Sequence, residues 1–250
     1  MKIGLNVGYD NIDMVIFRND EIVGFADRPI ASPKRDGNRT IMEKILSMIH
    51  NEADCRIKGI GLSLPSRIDE TKGVVYDLNY IPYWKGMGIK KILEDEFNTR
   101  VWINNDVNCF ILGEKHHGSC TKFKDVICVT LGPNIGTGII VNDKLYYENN
   151  SSGDTPKCLS IPAYNCIRTF KSSYMRTVED LNYLVRNHIE EISDAPEHQV
   201  WKDIGTLVGQ LITILLCNYT PQVIVLGGTL AKSYTNYSET INQYLEKYIQ

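Results

Sequence analysis

The chain has 250 residues, 43% of them hydrophobic, with a formal net charge of −3 at pH 7 and a pI near 6.0. That is enough apolar material for one large domain or two lobes, each with its own core. The mild acidity and the lack of a long lysine or arginine run argue against a nucleic-acid surface. The seven cysteines, Cys55, Cys109, Cys120, Cys128, Cys158, Cys166 and Cys217, are odd in number, scattered, and form no C-x-x-C. They read as free thiols of a reducing cytoplasm, without structural zinc. A strand starting at residue 3 leaves no room for a signal peptide. The most apolar run, residues 211–217, is far too short to span a bilayer. The expectation is a soluble, cytoplasmic protein with no membrane partner.

Residues 3–7 read as a strand, Gly8-Tyr9-Asp10-Asn11 as a turn, and residues 14–17 as a second strand. Asn19-Asp20 is a tight turn into a third strand at 21–25, so the chain opens as a β-meander. Residues 31–38 are polar and turn-rich. Residues 40–53 form an amphipathic helix with Ile41, Ile45, Met48 and Ile49 on one face. A strand over 57–64 stops at Pro65, which cannot donate to a ladder. A strand at 73–78 and a short helix at 89–97 follow.

Residues 101–114 are the most informative stretch. Val101 to Ile103 are β-favouring. Asn104, Asn105 and Asp106 come next, then a helical run with Val107, Phe110, Ile111 and Glu114 at helical spacings. A carboxylate at a strand-to-helix junction lies at the carboxyl end of a sheet, where open α/β folds place ligand crevices. Asn105 or Asp106 serving only as a helix cap fits the same residues, because short polar side chains satisfy the free N–H groups of a first turn.

The second half opens as the first does. Residues 126–131 read as a strand, 132–136 as a turn, 138–141 as a strand, Asn142-Asp143 as a tight turn and 145–147 as a strand. The two Asn-Asp turns lie 123 residues apart (142 − 19), an internal repeat that suits two related lobes. Gly-containing turns in each opening offer backbone N–H groups to a phosphate. Residues 148–160 are loop-like, and helices are expected at 161–170 and 177–192. A long helix covers 198–219, in which Gly205 and Gly209, four apart, allow close packing on a neighbour. A buried strand over 222–226, a Gly227-Gly228 turn and a helix over 238–249 complete an α/β order. The lobes are taken as residues 1–118 and 119–250.

With these segments in place, the chain resembles the ROK family of repressors, open reading frames and sugar kinases. Asn105-Asp106-Val107-Asn108, followed by Leu112-Gly113-Glu114, is similar to the family's N-D-A-N-A-A-x-L-G-E. The segment Ile60-Gly61-Leu62-Ser63-Leu64-Pro65-Ser66-Arg67-Ile68-Asp69 resembles G-I-G-x-P-G-x-V-D. Tyr80-Ile81-Pro82-Tyr83-Trp84 resembles N-L-x-G-W. Thr130-Leu131-Gly132-Pro133-Asn134-Ile135-Gly136-Thr137-Gly138 resembles T-x-G-T-G-I-G-G-G, and Ile224-Val225-Leu226-Gly227-Gly228 resembles a late I-V-x-G-G. Each motif alone is weak, but all five occur in family order.

The resemblance implies a two-lobed actin/hexokinase-like ATPase fold with ribonuclease H-like duplicated lobes. It implies transfer of the ATP γ-phosphate to a hydroxyl of a hexose or N-acetylhexosamine, with ATP and Mg²⁺ as cofactors. Asp106 would be the general base. Asn105, Ser66, Asn79, Asp154 and Lys157 would meet the sugar. Gly8, Asp10, Gly132, Asn134, Gly136, Gly227 and Gly228 would meet the nucleotide, with Mg²⁺ near Asn6 and Asp10. A homodimer is a family expectation. A repressor role is not expected, because a strand at residue 3 leaves no room for an N-terminal helix-turn-helix.

The departures are concentrated on phosphate and sugar contacts. The family's D-I-G-G-T-K stands here as Asn6-Val7-Gly8-Tyr9-Asp10-Asn11. Asn6 is a poorer partner for a hard cation than aspartate. Pro133 removes a backbone donor, and Asn134 replaces a glycine. A-G-E-I-G-H aligns with Ser152-Gly153-Asp154-Thr155-Pro156-Lys157, and the cysteine-rich zinc motif is missing. A sugar kinase is the leading reading. A relative that binds a sugar or sugar phosphate as a sensor without turnover is the alternative, and a scaffold subunit the third.

Overall fold

The computed structural model describes residues 1–8, 11–30, 38–52, 55–77, 84–132, 135–146, 176–177 and 199–248. The expected helices at 161–170 and 177–192 fall outside these residues, apart from a helical turn at Arg176 and Thr177. The chain divides into two compact units, and among the described residues the first runs to Leu112 and the second starts at Gly113.

Unit 1 opens with the expected meander: β1 (Lys2–Val7), β2 (Asn11–Arg18) and β3 (Glu21–Pro29). The β2–β3 turn has φ of 51° at Asn19 and 66° at Asp20. Asn and Asp tolerate this left-handed geometry, and it matches the twist of a tight hairpin. Then come α1 (Asn38–Glu52), β4 (Gly59–Leu64), a small hairpin of β5 (Arg67–Asp69) and β6 (Val74–Asp77), α2 (Ile89–Phe97) and β7 (Val101–Asn105). The sheet order is β3-β2-β1-β4-β7, with β1, β4 and β7 parallel. The crossovers through α1 and α2 move in the same direction across the sheet, so right-handed connections put both helices on one face. That face is the core. Ile3, Leu5, Met14, Ile60, Leu62, Val101 and Ile103 pack with Ile41, Ile45, Met48 and Ile49 of α1 and Leu93 of α2. Full burial of each of these α1 side chains contributes about 1.5–3 kcal/mol. Trp84 is also fully buried, so it serves the core.

α3 (Asp106–His117) leads out of β7. Unit 2 then repeats the meander: β8 (Val126–Leu131), β9 (Ile135–Val141) and β10 (Lys144–Leu145), with β11 (Val223–Gly227) returning parallel to β8. Its sheet order, β10-β9-β8-β11, mirrors β3-β2-β1-β4. The β9–β10 turn has φ of 50° at Asn142 and 64° at Asp143, close to its counterpart in unit 1. The internal repeat is therefore one of backbone geometry as well as of residues. α4 (Gln199–Asn218) lies on this sheet, and α5 (Ser238–Tyr248) packs on α4. A Cβ at Gly205 would stand 2.8 Å from the Tyr237 carbonyl, and one at Gly209 2.9 Å from Tyr244 Cβ. Both glycines are therefore fixed by the closeness of α5.

α4 is long and apolar enough to cross a membrane by length and composition. Val200, Trp201, Ile204, Val208, Leu211 and Leu215 are buried against β8, β9 and α5, so it works as a core helix here.

Three features differ from the sequence expectation. β9 starts at Ile135, three residues early, because the β8–β9 ladder closes directly after the turn, with Leu131 opposite Ile135. β11 is half-buried along most of its length instead of buried, since it is the outer strand of its sheet. Thr229–Asn236 is a kinked run of 3-10 turns that residue periodicity does not reveal.

Candidate functional site

At the carboxyl ends of the parallel strands of unit 1, the register draws polar residues into one row. Asp27 stands opposite Asp13, Asp13 opposite Asn6, Asn6 opposite Ser63, and Ser63 opposite Asn104. Residues in register across a sheet share a face, so this row lies on the face away from α1 and α2. Ser63 Oγ donates to Asn6 Oδ1 at 2.9 Å, and Asn6 Nδ2 reaches Asp13 Oδ2 at 3.4 Å. Asn11 Nδ2 donates to Asp13 Oδ1 at 2.6 Å.

β7 runs through Asn104 and Asn105, two residues past the expected strand, and α3 starts at Asp106. Asn105 is the N-cap: its Oδ1 accepts the Val107 N–H at 2.9 Å, and its Nδ2 donates to the Ser66 carbonyl at 3.1 Å. It is 7% exposed. Its amide is thus engaged by protein on both ends, and it ties the loop after β4 to the start of α3. Asp106 Oδ1 also accepts the Val107 N–H at 2.9 Å. A carboxylate in the first turn of a helix faces the positive end of the helix dipole. Asn104 Oδ1 accepts from the Asn105 N–H at 2.7 Å and from Asn108 Nδ2 at 3.1 Å. Capping and presentation of a carboxylate coexist here, divided between Asn105 and Asp106.

Cys109, one turn after Asp106, hydrogen-bonds with Ser63, and burial pushes its thiol up to about 11. The motif residue Glu114 has a structural task. Its Oε2 accepts from the Ser119 N–H at 2.9 Å and from Ser119 Oγ at 2.8 Å. Lys115 Nζ donates to the Phe123 carbonyl at 2.5 Å and pairs with Asp143 at 2.7 Å, holding the Asp143 carboxyl below its ordinary range. His116 and His117 are exposed. Among the described residues no group of three His, Cys, Asp or Glu side chains is placed to hold a metal ion.

The corresponding row of unit 2 is Gly136–Thr130–Gly227. It bares backbone where unit 1 presents side chains. Gly228, with φ of 86°, follows it, and a Cβ there would overlap the Leu131 carbonyl. Only glycine fits that turn. In unit 1 the Gly8 N–H donates to the Asn11 carbonyl at 2.8 Å, closing the hairpin. That N–H is therefore committed to the turn. Thr137 Oγ1 is buried without a hydrogen-bond partner, on the strand position opposite core residue Val129.

The structure thus brings Asn6, Gly8, Ser66, Asn105 and Asp106 to the carboxyl edge of the unit 1 sheet, and Gly136, Gly227 and Gly228 to that of unit 2. Gly132 follows β8 directly. Asp10, Asn79, Asn134, Asp154 and Lys157 lie outside the described residues. Asp13 and Asn104 were not picked out from sequence. They belong to no local motif, and only strand register places them beside Asn6 and Ser63.

A family model, the ROK family, matches residues 2–154. A glucokinase from Halalkalibacterium halodurans is 25% identical over 98% of this chain and 85% of its own length. The xylose repressor of Bacillus subtilis is 24% identical over 93% of this chain, which spans 65% of the repressor. The crystal structure of a ROK family glucokinase from Streptomyces griseus, in complex with glucose and AMPPNP, superposes with a TM-score of 0.73 at 17% identity. That match covers 99% of this chain and 89% of the other.

Proposed function

Since the chain belongs to the ROK family and has its actin-like ATPase fold, we propose that it is a sugar kinase, transferring the γ-phosphate of ATP to a hydroxyl of a hexose or N-acetylhexosamine. The observation that carries this reading is Asp106: a carboxylate at the first turn of α3, at the carboxyl edge of the unit 1 sheet, beside a polar row. Asp106 takes the proton of the attacking hydroxyl, a task for which a carboxylate needs hydrogen-bond reach and a favourable electrostatic seat. Asn105 holds the loop at Ser66 and so shapes the sugar side. The bare backbone at Gly136, Gly227 and Gly228 allows a nucleotide to approach the unit 2 sheet closely.

Mg²⁺ in such a reaction is bound mostly by phosphates and water, with one or two protein carboxylates. The hard carboxylate oxygens on the unit 1 edge, of Asp13 and Asp106, suit that ion. Its chemistry there would be to neutralise the charge that develops on the transferred phosphoryl group.

A second reading, sugar binding without turnover, is favoured by a specific observation. Asn6 replaces a family aspartate and bonds to Ser63, and the Gly8 N–H is used within its own hairpin. The test is calorimetric titration with Mg-ATP, alone and with a mixture of common hexoses and N-acetylhexosamines, followed by an ADP-release assay. Saturable nucleotide binding with sugar-dependent ADP release is the expected result. Heat from sugar alone, with none from Mg-ATP, would replace the kinase with the sensor.

A further inference from the structure

Two positions at the carboxyl edge of unit 1 depart from the motifs around them and meet each other. Ser63 stands where G-I-G-x-P-G-x-V-D has a glycine, and Cys109 where N-D-A-N-A-A-x-L-G-E has an alanine. Neither glycine nor alanine can hydrogen-bond through a side chain, yet the Cys109 thiol and the Ser63 hydroxyl are bonded to each other. Ser63, 9% exposed, lies on β4 between Asn6 and Asn104. The direction of its bonds follows by elimination. The Asp13 carboxylate only accepts, so Asn6 Nδ2 must face it and Asn6 Oδ1 must face Ser63. An amide oxygen also only accepts, so the one hydrogen of the Ser63 hydroxyl is spent on Asn6, at 2.9 Å. Toward Cys109 the hydroxyl can then offer only a lone pair. The thiol is therefore the donor, and the bond exists only while Cys109 is protonated and unmodified.

Cys109 follows Asp106 by three residues, which places both on one side of α3. The neighbours of Asp106 tie the start of this helix to the sheet. Asn105 Nδ2 donates to the Ser66 carbonyl, Asn108 Nδ2 donates to Asn104 Oδ1, and Cys109 holds Ser63. The asparagine ties belong to the N-D-x-N pattern, whereas the cysteine tie has no counterpart in the motifs. Asn108 reaches β7 and Asn105 the loop after β4, and of these ties only that of Cys109 reaches β4 itself. A helix held to two strands cannot roll about its axis as one held to a single strand can. We propose that Ser63 and Cys109 are a positioning pair for Asp106, whose thiol-to-hydroxyl bond fixes α3 on β4 and so sets the direction in which the Asp106 carboxylate is presented. The proposal rests on the kinase reading of Asp106. Neither side chain of the pair touches the reacting atoms. Misplacing a catalytic group by about 1 Å can cost about 10²-fold in rate, so one bond a single turn away from the base is enough to be seen.

Sugar-dependent ADP release and melting temperature are measured for the full chain and for Cys109→Ala, Cys109→Ser, Ser63→Ala and the double variant Ser63→Ala with Cys109→Ala. Cys109→Ala and Ser63→Ala should each lower kcat by about 10–100-fold. KM should change by less than about twofold in both, because substrate binding is left alone. Cys109→Ser keeps a donor toward Ser63 and should hold kcat within about threefold of wild type. The double variant should be no slower than the slower single one, since two residues that act through one bond are not additive. Iodoacetamide labelling gives a readout independent of turnover. In Ser63→Ala the Cys109 thiol loses its acceptor and should react faster than in wild type at the same pH. Unchanged labelling of Cys109 in Ser63→Ala overturns the pairing whatever the activity, and it decides the matter if Cys109→Ala does not fold. Full kcat in Cys109→Ala, a Cys109→Ser variant as slow as Cys109→Ala, or multiplied losses in the double variant each overturn the proposal and leave the kinase reading standing. No sugar-dependent ADP release by the wild type overturns both.

Discussion

The two sheets share a topology yet finish their strands in opposite ways. Unit 1 ends in Asp13–Asn6–Ser63–Asn104, a row of side chains that hydrogen-bond across three strands. Unit 2 ends in Gly136–Thr130–Gly227, where two of three positions have no side chain at all. The turn that leads out of the first strand differs too. Four residues separate Val7 from its ladder partner Ile12, and three separate Leu131 from Ile135. A duplicated backbone has thus been given two chemistries. One edge offers directed polar side chains, and the other offers bare backbone.

The largest expected effect is at Asp106. If the side-chain edge is the chemical one, Asp106→Asn should lower sugar-dependent ADP release by about 10²–10⁴-fold. The melting temperature should hold, because the new amide oxygen can still accept the Val107 N–H. Undiminished turnover would take Asp106 out of the chemistry and erase the contrast between the edges. The next effect is on Cys109. With its thiol pushed up from 9.0 to about 11, it holds about a hundredfold less thiolate near pH 8 than an ordinary cysteine. Iodoacetamide followed by peptide mass spectrometry should label the exposed Cys55 and Cys217 first, and Cys109 only as the pH approaches 11. Early labelling of Cys109 would mean that the row is open on its α3 side.

Glycines sharpen the comparison further. Gly228→Ala forces a side chain onto a left-handed backbone against the Leu131 carbonyl, with an expected cost of about 1–3 kcal/mol. Gly61→Ala in unit 1 meets only the Ile3 carbonyl at 3.9 Å and should leave the melting curve nearly unchanged. Equal losses in the two variants would contradict a glycine requirement peculiar to unit 2. The smallest effect concerns Thr137. Its buried hydroxyl has no partner, so Thr137→Val should raise stability by about 1 kcal/mol in thermal denaturation. A fall would show that the hydroxyl is satisfied in solution.

Local chemistry made much of the fold readable in advance. Asn-Asp pairs fit left-handed hairpin turns, α1 has its apolar stripe at helical spacing, and two glycines four apart in α4 signalled a close neighbour. Asp106 was readable because a strand, two asparagines and an apolar helix announce a junction. The row itself was not. Residues 6, 13, 63 and 104 come together only through the register of four strands, and register is a tertiary outcome set by which face is buried. The capping question could not be answered locally either. Asn105 and Asp106 both accept the Val107 N–H, and only the observed start of α3 at Asp106 makes Asn105 the cap. The β5–β6 hairpin was half-missed, because a three-residue strand carries too little pattern to detect.

The parallel pairing of β11 with β8 also sets a schedule. Val223 bonds into register with Val126, a separation of 97 residues, whereas the meander of unit 1 closes within its first thirty. Long-range pairing of this kind must close a large loop before any contact rewards it, and it slows folding. During synthesis, α4 leaves the ribosome before either β11 or α5 exists to cover it. The part of its apolar face that packs on α5 is then uncovered. Unit 2 therefore carries the longest-range strand pairing among the described residues, the kind of contact that slows folding.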